Sequence, residues 1–226
     1  MVKELDSEKV KEVREQQRKR AKYFGHEGEE ERLKMLQQMK SMLINHEARW
    51  LSALKKDLGK PAMESYASEI ALLLNQLDYV MNHLSTWMKP ATKKRLLLSG
   101  KETTVLTAEP FGSVLVFSPW NYPLQLALMP VIGALAAGNG VVLKPSEFAP
   151  AVSHLLNELV VEYFPKEVFF VIEGNSAVAQ ALTNMEWDFI FFTGSQTVGK
   201  KVYQAAAQHL TPVVMELGGQ KSLHCG

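Results

Sequence analysis

Between Gly112 and Glu216 the chain alternates short apolar runs with helical stretches, and this alternation restricts the fold more than any other feature. The runs are Gly112 to Ser118, Val141 to Lys144, Val168 to Ile172, Phe189 to Phe192 and Pro212 to Glu216. Each has strand length and is apolar almost throughout, the pattern of a strand buried on both faces. Helical segments separate them at Leu124 to Ala137, Ala151 to Phe164, Ala177 to Asn184 and Val198 to His209. Strands alternating with helices, joined by right-handed crossovers, make a five-stranded doubly wound parallel α/β sheet of Rossmann type.

The amino-terminal part has a different pattern. From Leu5 to Lys89, Val10, Val13, Leu33, Leu36, Met39, Met42 and Leu43 recur at helical spacing among Lys, Glu and Gln. Gly25 to Gly28 breaks the first helix, and Asp57-Leu58-Gly59-Lys60-Pro61 stops a later one. A long helix follows over about Met63 to Met88. The Lys/Arg-rich stretch with Pro90 reads as a connector, and Thr103 to Thr107 as an edge strand that pairs with another chain or domain. The partition is therefore a helical region at 1–89, a connector with edge strand at 90–109, a dinucleotide-binding unit at 110–219 and a tail at 220–226.

Bulk properties exclude several classes. A net charge of +1 gives no footprint for nucleic acid or an anionic membrane. No apolar run reaches the roughly 18 residues of a membrane span, and the charged segment Met1 to Lys22 is unlike a signal peptide. One cysteine, Cys225, allows no internal disulfide, which fits a cytoplasmic location. The six histidines lack metal-ligand spacing, so no metal is expected.

Sheets of this kind bind ligands at the carboxyl ends of their strands. Four strand ends there are polar or glycine-rich: Ser118-Pro119-Trp120-Asn121-Tyr122-Pro123, Lys144-Pro145-Ser146-Glu147, Thr193 to Gly199, and Glu216-Leu217-Gly218-Gly219. Each also has a bland reading. Asn121 reads equally as a helix or turn cap, Trp120 as core, Ser146 as a helix cap, and Glu216 as a strand-end carboxylate paired with a surface lysine.

Taken together, these segments resemble the aldehyde dehydrogenase superfamily, and within it the class 3 or fatty-aldehyde branch. The resemblance spans about Val10 to Gly219 and adds Ala53 to Lys60 and Ala136-Ala137-Gly138-Asn139. It implies oxidation of an aldehyde to a carboxylate with NAD, NADP also being accepted. Gly194 and Ser195 would receive the pyrophosphate at a helix start, where N–H groups and the dipole favour an anion. Lys144 and Glu147 would bond the adenosine ribose. Ser118, Trp120, Val198, Gly199, Leu217 and Gly218 would complete the cofactor site. Asn121 would donate its amide to the oxyanion formed when a cysteine thiolate attacks the carbonyl. Glu216, its pKa lifted by burial, would be the base that activates water to hydrolyse the thioester. The resemblance also implies a homodimer.

The tail departs from the family pattern. Relatives continue Glu-Leu-Gly-Gly-Lys-Ser-Pro-Cys-Ile-Val, whereas this chain reads Gly219-Gln220-Lys221-Ser222-Leu223-His224-Cys225-Gly226. A single inserted base before a permissible coding of the family peptide yields the observed residues. A frame shift near codon 220 is therefore expected, leaving a truncated chain without the nucleophile. Cys225 lacks the family's flanking residues and is assigned no catalytic role. Such a chain is expected to be inactive alone, and a stand-alone NAD-binding module or an interaction fragment are the alternatives.

Overall fold

The computed structural model describes residues 5–23, 28–97 and 100–218. The Gly25 break, Gly219, the tail and Cys225 lie outside the described residues.

The amino-terminal helices are α1 (Ser7–Tyr23), α2 (Glu29–Asn45) and α3 (Glu47–Leu58). Gly59 ends α3 in the left-handed conformation (φ 67°), its N–H bonded to the Lys55 carbonyl at 2.9 Å, and Pro61 follows. The expected long helix is present but uneven. α4 (Ala62–Ser65) passes through a π turn (Tyr66–Ile70) into α5 (Ala71–Met88). Glu69, Ile70, Leu73, Leu77, Val80 and Leu84 form one buried face that runs through the π turn into α5.

The stretch expected as a connector is a strand. β1 (Ala91–Leu97) pairs antiparallel with β2 (Gly100–Leu106), in register Thr92 to Val105 and Lys94 to Thr103. The edge strand thus finds its partner within the chain. Lysine-rich composition hid β1, because strand propensity depends on cross-strand context more than on residue type.

The main sheet holds β3 (Ser113–Phe117), β4 (Gly140–Lys144), β5 (Phe169–Val171), β6 (Phe189–Ser195) and β7 (Val213–Gly218), all parallel, in the order β5-β4-β3-β6-β7. The crossovers are α6 (Gln125–Ala136), α7 (Pro150–Tyr163), α8 (Ser176–Thr183) and α9 (Gln196–Ala207). Period-two alternation splits the strands between two cores. Val114, Val116, Val141 and Leu143 pack with α2, α3, α5, α6 and α7. Leu115, Phe117, Val142, Ile190 and Phe192 pack with α1, α8 and α9. The amino-terminal helices therefore cover both faces of the sheet.

α1 is locked by a buried polar contact. Gln17 is 0 % exposed, donates to the carbonyls of Val141 (3.0 Å) and Lys166 (3.3 Å), and accepts from the Ser113 hydroxyl. β6 and β7 run further than expected, to Ser195 and Gly218, because Thr193 pairs with Glu216, Gly194 with Leu217 and Ser195 with Gly218. Pairing overrides the loop preference of Thr-Gly-Ser there. The strand order reverses between β3 and β6, and a ligand crevice is expected at that point.

Candidate functional site

The carboxyl ends of β3 and β6 open into a cleft of about 1190 Å³. Ser118, Trp120, Asn121, Lys144, Ser146, Glu147, Gly194, Ser195, Val198 and Gly218 line it. An adjoining trough of about 540 Å³ is lined by Glu216, Leu217, Met129 and Pro130, and shares Leu126, Thr193 and Gly218 with the cleft. The fold thus gathers residues from four strand ends on one edge. Gly199 lies behind the cleft wall: a Cβ there would come within 2.7 Å of Leu217 Cδ2, so glycine lets α9 lie close on β7.

The bland readings fare unevenly. Trp120 is 55 % exposed, so it is not core. Ser146 does cap a turn, accepting from the Phe148 N–H at 3.3 Å. Asn121 is exposed and caps nothing; its side chain has no hydrogen-bond partner among the described residues. Capping of the following helix falls instead to Glu69, whose Oε2 accepts from the N–H groups of Leu124 (2.9 Å) and Gln125 (3.3 Å). Glu216 has no salt-bridge partner among the described residues, and the burial expected of it is absent. It is exposed, because β7 forms the sheet edge and its residues pack on one side only.

Charge is distributed unevenly among the helix starts at this edge. α6 is capped by Glu69, and α7 by Asp57, whose two oxygens accept from Ala151 (3.0 Å) and Val152 (2.8 Å). Both carboxylates come from the amino-terminal helices. α8 and α9 carry neutral caps from their own chain ends: Asn175 Oδ1 accepts from Ala177 and Val178, and Ser195 Oγ from Val198 at 3.3 Å. An anion approaching this edge finds the N–H groups of α6 and α7 already taken by carboxylates, and those of α8 and α9 met only by neutral caps. Lys144, buried to 3 % exposure, holds Glu147 at 2.6 Å. Its ammonium stands at the floor of the cleft with the carboxylate at the rim. Ser118 Oγ is buried in the cleft wall with no hydrogen-bond partner among the described residues. A neutral helix cap, a cation–carboxylate pair and an orphaned hydroxyl fit a dinucleotide's phosphate and ribose groups.

The aldehyde dehydrogenase family profile matches residues 1–224. The chain belongs to the aldehyde dehydrogenase family. It is 46 % identical over 215 residues to the 4,4'-diapolycopene-4,4'-dial dehydrogenase of Cytobacillus firmus, covering 95 % of this chain and 48 % of that protein. It is 45 % identical over 193 residues to aldehyde dehydrogenase family 3 member H1 of Arabidopsis thaliana, covering 85 % and 40 %. The chain therefore spans less than half the length of either relative. Among solved structures, a substrate-bound AldH from Staphylococcus aureus superposes with a TM-score of 0.88 at 34 % identity, over 94 % of this chain and 46 % of that one. An aldehyde dehydrogenase of Mycobacterium tuberculosis complexed with NAD+ superposes with a TM-score of 0.73 at 30 % identity, over 85 % and 40 %. The class 3 resemblance thus has its counterpart among family 3 relatives, and the fold is that of the family.

Two contributors escaped the sequence reading. Lys201 lines the cleft one turn after Val198 on α9. Its i, i+3 spacing from Val198 was the available signal. Glu69 sits beside Ile70 on the inward face of the helical region, and a carboxylate among buried positions was a signal that something pairs with it.

Proposed function

We propose that this chain forms the cofactor-holding portion of a dehydrogenase that oxidises an aldehyde to a carboxylate with NAD, and with NADP more weakly. The observation that carries the reading is the α9 start with its neutral Ser195 cap, flanked by the Lys144–Glu147 pair, in a cleft whose other helix starts on the β3–β4 side bear carboxylates. The M. tuberculosis relative was solved with NAD+, which supports the same ligand class here. A bound dinucleotide supplies the hydride acceptor. Gly194 and Ser195 receive its pyrophosphate, Lys144 and Glu147 its ribose hydroxyls, and Ser118, Trp120, Val198, Gly199, Leu217 and Gly218 shape the walls. Asn121 offers its unpaired amide to a carbonyl oxygen as negative charge develops there, and Glu216 accepts the proton of an attacking water.

Cys225 is the one thiol in these 226 residues and is assigned no part in the reaction. A polypeptide of this sequence is expected to bind NAD+ in a calorimetric titration yet form no NADH when an aldehyde is added. Absence of NAD+ binding overturns the cofactor reading, and aldehyde-dependent NADH overturns the inactivity. The reading extends to a homodimer in the cytoplasm, checked by light scattering and fractionation. Sequencing the gene through codon 220 checks the shift of frame.

A further inference from the structure

We propose that Glu69 and Lys60 are positioning residues for Asn121, holding its main chain so that the side-chain amide stays free and fixed at the cleft. The inference rests on the role given to Asn121 above, but its geometry stands apart from that role.

Glu69 is 0 % exposed. An ionised carboxylate is costly to bury unless its oxygens are fully engaged. Both are engaged here. Oε1 accepts from Lys60 Nζ at 2.7 Å, and Oε2 accepts from the Leu124 and Gln125 N–H groups. Lys60 in turn donates to the Asn121 main-chain oxygen at 3.2 Å, and its ammonium lies 3.9 Å from the centroid of the Tyr122 ring. The loop carrying Asn121 is thus gripped on both sides, at Asn121 and Tyr122 by Lys60 and at Leu124 and Gln125 by Glu69.

Four further features point the same way. α6 has no side-chain cap of its own, since Leu124 holds the N-cap position. Glu69 lies inward beside Ile70 within the π turn, and such turns recur at functional sites. The grip uses only the main-chain oxygen of Asn121, so both side-chain N–H donors remain for a ligand. The pair is also electrically balanced, so it fixes the loop without adding a net charge near a developing oxyanion. This is preorganisation of a hydrogen-bond donor by groups that never touch the reacting atoms.

The test uses the 226-residue protein with isotope-edited NMR. Glu69→Gln removes the charge and one acceptor. It is expected to speed hydrogen exchange at the Leu124 and Gln125 amides about tenfold or more. It should also shift the Asn121 side-chain NH2 and Trp120 indole resonances, while NAD+ affinity changes by less than about threefold, since no dinucleotide contact is removed. Should Glu69→Gln fail to fold, Tyr122→Leu decides the matter. Tyr122 is 41 % exposed, so this change spares the core, and by loosening Lys60 it should still raise the mobility of the Asn121 NH2 in 15N relaxation, which the loss of a neighbouring ring current does not mimic. Unchanged Asn121 NH2 mobility in whichever variant folds overturns the proposal and leaves Glu69 as a helix cap alone. Failure of the unsubstituted protein to bind NAD+ would count against the cofactor reading and not against these contacts.

Discussion

Asp57 offers a sharp test of how the amino-terminal helices build the cofactor edge. It sits in the last turn of α3, where its own helix dipole disfavours a carboxylate, yet it reaches the start of α7, where the dipole favours one. It accepts two N–H bonds there, at 3.0 and 2.8 Å. Removing a helix cap costs about 0.5–2 kcal/mol, and a hydrogen bond to a charged group contributes about 1.5–3 kcal/mol net when buried. Asp57 is half-buried, so partial hydration places Asp57→Ala at about 2–3 kcal/mol. Asp57→Asn keeps one acceptor and loses the charge, giving about 1 kcal/mol. Urea denaturation followed by circular dichroism reads both. α7 follows directly on the Lys144–Glu147 turn, so Asp57→Ala should also weaken NAD+ binding, by about three- to tenfold. Equal stability of the Ala and Asn variants, or a cost for Ala under about 0.5 kcal/mol, would refute the argument that this carboxylate caps α7 in a way that matters.

Other substitutions probe separate links. Lys144→Met should weaken NAD+ binding about 10–100-fold by calorimetry, since it deletes a buried ammonium and strands Glu147. Glu147→Gln should narrow the gap between NAD+ and NADP+ affinities, because it takes a carboxylate away from where a 2′-phosphate would lie. Gln17→Leu should cost about 2–3 kcal/mol in urea denaturation, leaving the Ser113 hydroxyl and two carbonyls short of partners in a buried site. At the surface, the hydrogen bond from Arg49 holds the Glu158 carboxyl below its ordinary value, against a smaller opposing effect of burial. A depressed folded value means that the contribution is present above the unfolded carboxylate value and fades as pH falls through the folded one. Arg49→Ala should move the Glu158 titration upward, as followed by carboxyl NMR.

The main sheet was legible in the sequence because its central strands β3 and β4 are buried on both faces, and two-sided burial writes itself as near-continuous apolar runs. The cleft edge was legible because its strand ends change abruptly to glycine, hydroxyl and charge. What stayed hidden depends on distant pairing. β1 is lysine-rich and strand-like only opposite β2. The extensions of β6 and β7 through Thr193 to Ser195 and Glu216 to Gly218 exist because each supplies the other's hydrogen bonds. Asn121 had a bland reading as a cap, and that reading was removed by Glu69, 52 positions earlier in the chain. No local pattern encodes a cap delivered over that distance. Glu216 was expected to be buried because the role implied by the resemblance asks for it, whereas the structure leaves it exposed on the edge strand β7.

The carboxylates that cap α6 and α7 from afar bear on how this fold could be dissected or transplanted. A fragment begun near Pro110 would contain the whole parallel sheet and all four crossover helices. It would also carry two bare helix starts at its ligand edge, as attractive to phosphate as α9. Dinucleotide could then lodge at the wrong crossover, and the reversal point of the sheet would no longer single out one place for it. If the proposed cofactor site holds, the smallest portable cofactor unit has to begin ahead of Asp57, since both distant caps come from the amino-terminal helices.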